Sequence, residues 1–426
     1  MALCNENERL LKIYSKYMLP VLQFRDIVIT RGEGAYVWDA NGNKILDLNS
    51  GQFCAIFGHS NPKIGDELGK IAQKLQDTDT STLSDDVLLA AKQMHDIASE
   101  MQGRVIFLST GAEANECCLR YAKHIKRKSG IVSFDLGYHG LTHGTAGYSM
   151  SRNRIRPPLE HSYVVRAPRA YYDDQLSNEQ INVYVSEFEN LVRTERENIA
   201  AAIFEPIISG GGLLFPPKYY FKRIREICIE LDIFLVFDEC QTGFGRTGTW
   251  FYYQQLECIP DFLVCAKAMG LGFPVACVVA NGNSVPQESF AMMHYSSHQN
   301  EPFAGRLVSF AIDSISKENM LQANKIKGEY LLQALVRLSH EHSIINSPRG
   351  KGLMCGFNLL IEGVQDYKEA GSEFCRIALE NGVLLQHCNN GQTIRLLPNY
   401  MVEEKDIDYL CKRLDLMIRK HYPHGR

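Results

Sequence analysis

Two short apolar runs, each ending beside a charged residue, constrain the fold of this sequence most. The run FLVF (234–237) leads directly into Asp238, and further along the chain FLVC (262–265) is followed closely by Lys267. Runs of this kind are typical of buried parallel strands, and the charged residues then lie where the strands end. Open α/β sheets bind ligands at that edge. The pair therefore predicts either a ligand site built on a carboxylate and an amine, or an ion pair with only a structural role.

Length and charge narrow the class of protein. A chain of 426 residues is too long for one ordinary domain and predicts two. A hydrophobic fraction of 45%, a charged fraction of 22% and a net charge of -4 are typical of a globular protein with a sizeable core. Because there is no basic excess, neither nucleic acid nor an anionic membrane is an expected partner.

The cysteines and the N-terminus indicate a cytoplasmic protein. The 13 cysteines are scattered and form no CxxC pair, which favours buried thiols in a reducing compartment over disulfides or a metal site. The first residues, MALCNENERLLKIYSKYML, have mixed charges in a helical pattern and do not resemble a signal peptide. The apolar stretch 262–280 contains Lys267 and Pro274, so it predicts a strand, a turn and a second strand instead of a membrane span.

Helical and strand-like patterns alternate through the middle of the chain, which predicts a mainly parallel sheet flanked by helices. Near the start, AYVWDANGNKILDLN predicts two strands around an Asn41-Gly42 turn. After about Pro302 the pattern changes to a long helical stretch through Leu338, followed by a mixed region. We therefore expect an N-terminal segment (1–60) that contributes to the small domain, a large domain (61–302) and a smaller α+β domain (303–426). The predicted strands of the large domain are 105–108, 130–134, 201–204, 234–237, 262–264 and 276–280, with helices at 115–128 and 217–231.

A short apolar strand also leads into the motif FLSTGAEANECCLRYAKH (107–124), in which Thr110, Gly111 and Ala112 would begin a helix. Backbone N–H groups at a helix start, beside a hydroxyl and a glycine that allows close approach, can bind a phosphate. The same residues are also typical of an ordinary helix N-cap. The motif alone leaves both interpretations open.

Two further strand ends carry candidate site residues. In DLGYHGLTHG, Tyr138 and His139 follow an apolar strand, where an aromatic ring can either stack on a planar ligand or simply pack. In IFEPIISGGG, Glu205 ends a strand before a glycine-rich turn. A buried carboxylate there can orient a ligand or only hold the loop.

Taken in this order, the motifs resemble those of the class III aminotransferases, which are pyridoxal phosphate (PLP) enzymes of fold type I. The resemblance covers about residues 34–408 and includes STGAEANE, YHG, EPI with its glycines, DECQTGFGRTG, PDFLVCAKAMGLGFP and TIRLLP. It implies an α/β fold in which a large domain with a mainly parallel seven-stranded sheet is joined to a smaller α+β domain. It also implies that pyridoxal 5'-phosphate is the cofactor.

Carried over residue by residue, the resemblance implies that Lys267 is the catalytic residue and forms the Schiff base with the cofactor. Asp238 would bind the pyridine nitrogen and Gln241 the phenolic oxygen. Tyr138 and Cys240 would lie against the two faces of the ring. The remaining implied cofactor contacts are Thr110, Gly111, Ala112, His139, Glu205 and Ser297.

Ser297 carries an implication about assembly. In YSSHQNEP it matches the position that reaches the cofactor phosphate of the neighbouring subunit. The resemblance therefore implies a homodimer, or a dimer of such dimers, with shared active sites. The other implied partners are small molecules, an amino acid and a keto acid.

The resemblance also implies a substrate pocket. Arg395, in TIRLLP, would bind the substrate α-carboxylate, a task that suits a guanidinium group, and Gln52, Phe53 and Tyr138 would line the same pocket. The SGQ of Gln52, followed by GHxxP, resembles the dialkylglycine decarboxylases, in which this glutamine favours loss of CO2. Two residues depart from that narrower pattern: Tyr138 stands where those enzymes have tryptophan, and Gly210 where they have a second serine.

Gly210 also stands where many ω-amino-acid aminotransferases of the class carry a glutamate, and the absence of that glutamate argues against ornithine-type or GABA-type donors. We therefore expect transfer of an amino group between an α-amino acid and a keto acid or aldehyde. Two alternatives stay open: a decarboxylation-dependent transaminase, and an amino-acid racemase, epimerase or aminomutase on the same fold.

Overall fold

The computed structural model describes residues 5–21, 24–150, 160–172, 175–286 and 293–423. Contacts within the chain divide it into two compact units. We call Asp66–Lys325 the large unit, and Met1–Gly65 together with Ile326–Arg426 the small unit.

Strands and helices alternate along much of the chain. The strands are β1 (Ile29–Glu33), β2 (Tyr36–Asp39), β3 (Lys44–Asp47), β4 (Arg104–Leu108), β5 (Gly130–Phe134), β6 (Ser162–Val165), β7 (Ile199–Phe204), β8 (Phe234–Asp238), β9 (Phe262–Cys265), β10 (Ala276–Ala280), β11 (Ile345–Lys351), β12 (Met354–Leu359), β13 (Val383–Leu384), β14 (Gln386–Cys388) and β15 (Thr393–Leu396). The helices are α1 (Glu6–Tyr17), α2 (Ser50–Phe53), α3 (Pro62–Lys74), α4 (Asp85–Ile97), α5 (Gly111–Lys126), α6 (Asn178–Thr194), α7 (Lys218–Glu230), α8 (Tyr253–Leu256), α9 (Pro302–Lys317), α10 (Met320–Glu341), α11 (Tyr367–Glu380) and α12 (Glu404–His421).

The large unit is built on a seven-stranded sheet with the order β4-β10-β9-β8-β7-β5-β6. β9, β8, β7, β5 and β6 are parallel, and β10 pairs antiparallel with both β4 and β9, so β4 also runs in the common direction. Every residue of β5, β7, β8, β9 and β10 is buried. Burial on both faces explains why these strands are nearly continuous apolar runs. The predicted mainly parallel, seven-stranded α/β fold is confirmed.

The six strands predicted for this sheet are all present, and the seventh, β6, was not predicted. β6 lies at the edge of the sheet, and three of its four residues are only partly buried. Its sequence, SYVV, is therefore less apolar than the central runs. The two helices predicted between strands are α5 and α7, and α5 packs against β9 and β10.

The small unit contains two four-stranded sheets, β1-β2-β3-β13 and β11-β12-β15-β14. The predicted hairpin is formed by β2 and β3, and its turn is closed by a bond from the Gly42 N–H to the Asp39 carbonyl at 3.0 Å. Gly42 has a φ of +85°, a conformation that favours glycine and allows the short turn. In the second sheet, β15 pairs antiparallel with both β12 and β14.

The helical pattern after Pro302 is divided between two helices. α9 ends at Lys317 and α10 begins at Met320, with Asn319 between them at a φ of +48°. α9 belongs to the large unit. Within the residues that the structure describes, no helix is both long enough and apolar enough to cross a membrane.

Candidate active site

The candidate residues of the large unit follow strands that end at one edge of its sheet. Because these strands run in the same direction, the segments that follow them share that edge. The strand ends and their residues are β4 with Thr110, Gly111 and Ala112, β5 with Tyr138 and His139, β7 with Glu205, β8 with Asp238, Cys240 and Gln241, and β9 with Lys267.

Asp238 is a buried carboxylate held by three hydrogen bonds. Its Oδ2 accepts from Asn115 Nδ2 at 2.7 Å and lies 2.9 Å from His139 Nδ1, and its Oδ1 accepts the Cys240 N–H at 3.1 Å. Burial alone would raise the pKa of Asp238, but the hydrogen bond and charge of His139, together with Cys240 and Lys267, outweigh burial. The pKa of Asp238 therefore lies below its ordinary value, and the group is an anion at neutral pH.

Asn115 is a member of this network that the sequence did not reveal. Its Nδ2 also donates to the His139 carbonyl at 3.0 Å, so the amide ties the helix α5 both to Asp238 and to the loop after β5. Asn115 belongs to the same STGAEANE motif that supplied the predicted phosphate contacts. Its place in that motif was the signal available in the sequence, whereas its burial and its contact with Asp238 are visible only in the structure.

Lys267 opens the turn Lys267–Gly270 just after β9 and is partly buried. Its φ is +51°, in the left-handed region where a residue other than glycine costs about 1–3 kcal/mol. Its positive charge helps to lower the pKa of Asp238 and of Glu205, so the amine lies close enough to interact with both carboxyl groups. A left-handed backbone at a residue other than glycine indicates that the surrounding structure imposes this conformation.

Glu205 is a second buried carboxyl group at this edge, and its pKa is shifted in the opposite direction from that of Asp238. Its Oε1 accepts the Tyr138 N–H at 2.8 Å. Burial raises the pKa of Glu205 to about 7, with Asp238 adding to the rise and His139 and Lys267 opposing it. Glu205 therefore titrates near neutral pH while it holds the backbone of Tyr138, whose ring is 37% exposed.

The start of α5 has the features of an anion site. The Thr110 hydroxyl accepts the Glu113 N–H at 3.2 Å, and among the described residues the amides of Gly111 and Ala112 have no hydrogen-bond partner. A Cβ on Gly111 would lie 2.7 Å from Cys240 Sγ, so only glycine allows this close approach. Free amides at the N-terminus of a helix of this length attract a phosphate.

Cys240 and Gln241 follow directly after Asp238. Burial raises the pKa of the Cys240 thiol well above its ordinary value, with Asp238 adding to the rise, so the thiol stays protonated and acts as a small apolar group. Gln241 Oε1 is buried, and within the described part of the chain it has no hydrogen-bond partner. A buried polar atom without a partner is one that a bound ligand can satisfy.

Ser297 is exposed and lies in a segment that runs beside the outer edge of β4. The segment is fixed by Asn300, whose N–H donates to the Phe107 carbonyl at 3.0 Å and whose Oδ1 accepts the Phe107 N–H at 2.9 Å. These bonds cover part of the free edge of β4, the outer strand of the sheet. Ser297 is thereby held at the surface of the large unit.

Within the small unit, Arg395 and Phe53 lie together. Arg395, on β15, is only 6% exposed, and its Nη2 donates to Gln386 Oε1 at 2.6 Å. Its guanidinium carbon is 5.0 Å from the centroid of the Phe53 ring, within the range of a cation–π interaction. Gln386 is a contact that the sequence did not reveal, because it depends on the pairing of β14 with β15.

Gln52 lies in a strained turn, α2, beside Phe53. Ser50, Gly51 and Phe53 have φ values of +44°, +67° and +66°, and the Gln52 side chain is exposed. Asp47 anchors the turn because its carboxylate accepts the Gly51 N–H at 2.7 Å. Two residues other than glycine in the left-handed region indicate a conformation imposed by the surrounding structure.

The residues of the large unit fit the groups that PLP presents. PLP has a phosphate, a ring with a basic nitrogen, a phenolic oxygen and an aldehyde. The structure supplies free amides at the start of α5, an ionised carboxylate, a partly buried glutamine amide whose NH2 group can donate, and an amine. With these groups at the carboxyl end of a mainly parallel sheet, the fold and the site define a PLP-dependent enzyme of fold type I.

Comparisons with known proteins extend this result. The sequence model of the family described as class-III aminotransferase matches residues 20–418. An acetylornithine aminotransferase of Methanosarcina acetivorans is 30% identical over 405 residues, 94% of each chain. An uncharacterised aminotransferase of Schizosaccharomyces pombe is 32% identical over 344 residues, 79% of this chain and 77% of its own. The chain therefore belongs to the class III aminotransferases.

A solved structure agrees with the fold. An amine transaminase from an uncultivated Pseudomonas species, solved with PLP bound, has a TM-score of 0.87 and 24% identity, covering 95% of this chain and 98% of its own. The cofactor of the class III aminotransferases, and so of this chain, is PLP. The predictions of family, fold, cofactor and transaminase activity are confirmed.

Proposed function

We propose that this aminotransferase moves an amino group between an α-amino acid and a keto acid or aldehyde, with Lys267 as its catalytic residue. The observation that carries the proposal is the buried Asp238, which is kept ionised chiefly by His139 and is held by Asn115, in the same unit as Lys267. A fixed carboxylate opposite a ring nitrogen keeps that nitrogen protonated. Bound PLP then supplies an acceptor for the electrons of the bond broken at the substrate Cα.

Each remaining residue has a proposed task. The Lys267 amine would hold the cofactor through its aldehyde and would move the proton at the substrate Cα. Tyr138 and Cys240 enclose the ring, and Gln241 donates to the phenolic oxygen. The phosphate binds at Thr110, Gly111 and Ala112, and His139 and Glu205 hold Asp238 and Tyr138 in place.

Arg395 supports an α-amino acid as the donor. Its guanidinium is buried, held by Gln386 and packed on Phe53, so it is oriented before a substrate arrives. We propose that Arg395 binds the substrate α-carboxylate through paired N–H bonds, beside Gln52 and Phe53. The absence of a carboxylate at Gly210 favours the same class of donor.

A half-reaction experiment tests the proposed function. The purified enzyme with PLP is mixed with L-alanine, L-glutamate or N-acetylornithine, and the cofactor spectrum is followed without an acceptor. N-acetylornithine is included because one relative is an acetylornithine aminotransferase. Lys267→Ala should slow the spectral change by about 10²–10⁴-fold, the usual effect of losing a general acid–base group. Normal turnover by Lys267→Ala would overturn the assignment, and the exposed Lys420→Ala is the control.

Gln52 supports a second candidate, a decarboxylation-dependent transaminase. Its exposed side chain is carried by the strained turn beside Phe53, which contacts Arg395. Release of CO2 from 2-aminoisobutyrate, with a matching spectral change, would establish this activity. If CO2 is not released, or if Gln52→Ala leaves the ratio of decarboxylation to transamination unchanged, the second candidate is wrong.

We further propose that the enzyme works as a homodimer, or as a dimer of dimers, in which Ser297 reaches the cofactor phosphate of the neighbouring subunit. Exposed apolar side chains on the large unit support an interface: Leu83, Leu88, Leu89 and Tyr295, the last close in sequence to Ser297. Light scattering during gel filtration measures the assembly, and an active monomer would contradict the proposal. Ser297→Ala should weaken PLP retention without changing the assembly.

The free cysteines support a cytoplasmic location. Among the described residues, twelve cysteines are free and most of them are buried, which suits a reducing compartment. Cell fractionation of the tagged protein tests this proposal, and enrichment in a secreted or membrane fraction would contradict it.

A further inference from the structure

The glycine-rich turn after β7 lies against two apolar side chains. A Cβ placed on Gly210 would lie 3.0 Å from Met150 Cε and 3.9 Å from Tyr138 Cβ; among the described residues, its chain neighbours aside, no other atom would be within 4 Å. Gly210 does not have a positive φ, so its backbone does not require glycine. The absence of a side chain at Gly210 leaves room for the end of the Met150 thioether.

Met150 is held close to the segment that carries Tyr138. Its N–H donates to the Gly137 carbonyl at 2.7 Å, next to Tyr138 in the chain. Both side chains are partly open to solvent, Met150 at 41% and Tyr138 at 37%. Two partly exposed side chains therefore lie beside the same glycine turn, at the edge where the site residues lie.

We propose that Met150 and Tyr138 form an apolar wall of the substrate pocket, and that Met150 selects amino donors with an apolar side chain. The proposal rests on the proposed function, in which Tyr138 lies against the cofactor ring. A flexible, polarisable thioether adapts to apolar side chains of different shapes. A charged side chain placed against it would lose water without gaining a hydrogen bond.

The experiment measures kcat/KM for the half-reaction with L-leucine and with L-alanine, read from the cofactor spectrum of the holoenzyme. The ratio of the two values isolates the contribution of the donor side chain. Met150→Ala should lower the leucine-to-alanine ratio about 10-fold, because contacts with one or two methylene groups are worth about 10–200-fold in specificity. Met150→Leu should keep the ratio within about 3-fold of the wild type. Ile229→Ala, an exposed apolar residue on α7, is the control.

A matched pair at Gly210 provides an independent test. Gly210→Glu and Gly210→Gln place side chains of similar shape against Met150, whose thioether end can move aside. Only the glutamate adds a charge, so Gly210→Glu should lower the leucine-to-alanine ratio further than Gly210→Gln. It should also raise the ratio of L-ornithine to L-leucine.

The outcomes separate this inference from the proposed function. If no amino donor changes the cofactor spectrum, the proposed function fails and the wall fails with it. If donors react but the leucine-to-alanine ratio of Met150→Ala stays within 2-fold of the wild type, only the wall is wrong. A wild-type enzyme that prefers L-ornithine or L-glutamate to L-leucine would also overturn the wall and leave the transaminase intact.

Discussion

Asp238 and Glu205 are both buried carboxyl groups at one edge of the sheet, yet their pKa values move in opposite directions. Burial raises the pKa of Asp238, but the hydrogen bond and charge of His139, together with Cys240 and Lys267, outweigh it. Glu205 has the Tyr138 N–H, and burial dominates. Hydrogen bonds from His139 and Cys240, which Glu205 does not accept, therefore account for the opposite shifts of these two pKa values.

Glu205 makes stability depend on pH. Its pKa is about 7 in the folded protein against an ordinary value of 4.5, so its contribution is fully present below pH 4.5 and is lost as the pH rises through 7. The loss amounts to about 3 kcal/mol above that range. Glu205→Gln keeps an acceptor for the Tyr138 N–H but cannot ionise. The variant should therefore become more stable relative to the wild type between pH 5 and pH 8.

Thermal unfolding of both holoenzymes at pH 5, 6, 7 and 8 checks this prediction. Asp238 does not interfere, because its lowered pKa places its titration below this range. The exposed Glu197→Gln is the control, and its difference from the wild type should not vary with pH. A constant difference for Glu205→Gln as well would show that Glu205 does not take up its proton in the folded state.

At the residue scale, site residues that directly follow a strand can be predicted from the sequence. Contacts between residues that are distant in the sequence are harder to predict. Asp238 and Lys267 could be located because each follows an apolar run. Asn115 could not be assigned to Asp238, because the two residues are 123 positions apart and their contact depends on the docking of α5 on the sheet. The contact of Met150 with Gly210 depends on tertiary packing in the same way.

At the scale of elements, close packing explains the glycines around the start of α5. Gly140 has a φ of +111°, and a Cβ on it would lie 2.4 Å from the Cβ of Ala112. Gly140→Ala should therefore destabilise the protein by about 2 kcal/mol or more, through both backbone strain and overlap. Because Ala112 belongs to the proposed phosphate site, PLP should also dissociate faster.

A second glycine, Gly69, is a control for which alanine should have the opposite effect on stability. Gly69 lies in the interior of α3, and a Cβ there would meet no atom within 4 Å. Gly69→Ala should stabilise the protein by about 0.5–1 kcal/mol, because alanine has the better helix propensity. Urea unfolding of both variants measures the difference, and two changes of the same sign would contradict the argument from packing.

Every fully buried strand of the large sheet was predicted, as was β4 at one edge, whereas β6 at the other edge was missed. The central strands of the large unit are apolar throughout because both of their faces are covered. β6 is an edge strand with partly exposed residues, so its pattern is weak. The division between α9 and α10 was missed because Asn319, like most other residues there, does not break a helical pattern in sequence.

At the scale of the whole molecule, bound PLP should stabilise the large unit more than the small unit. All residues that are proposed to contact the PLP bound to their own chain lie in the large unit. α12 lies in the small unit. A ligand that binds only the folded state raises the free energy of unfolding by about 2.7 kcal/mol when its concentration is 100 times Kd. Removing PLP should therefore lower the stability of the large unit more than that of the small unit.

Hydrogen exchange of the holoenzyme and the PLP-free enzyme measures this difference segment by segment. On removal of PLP, exchange should rise most at the start of α5, at the end of β8 and in the turn Lys267–Gly270, where the proposed contacts lie. α12 should change least, since none of its residues is proposed to touch the cofactor. An equal rise in α12 would mean that both units unfold together, and no rise at the end of β8 would argue against Asp238 as the partner of the cofactor nitrogen.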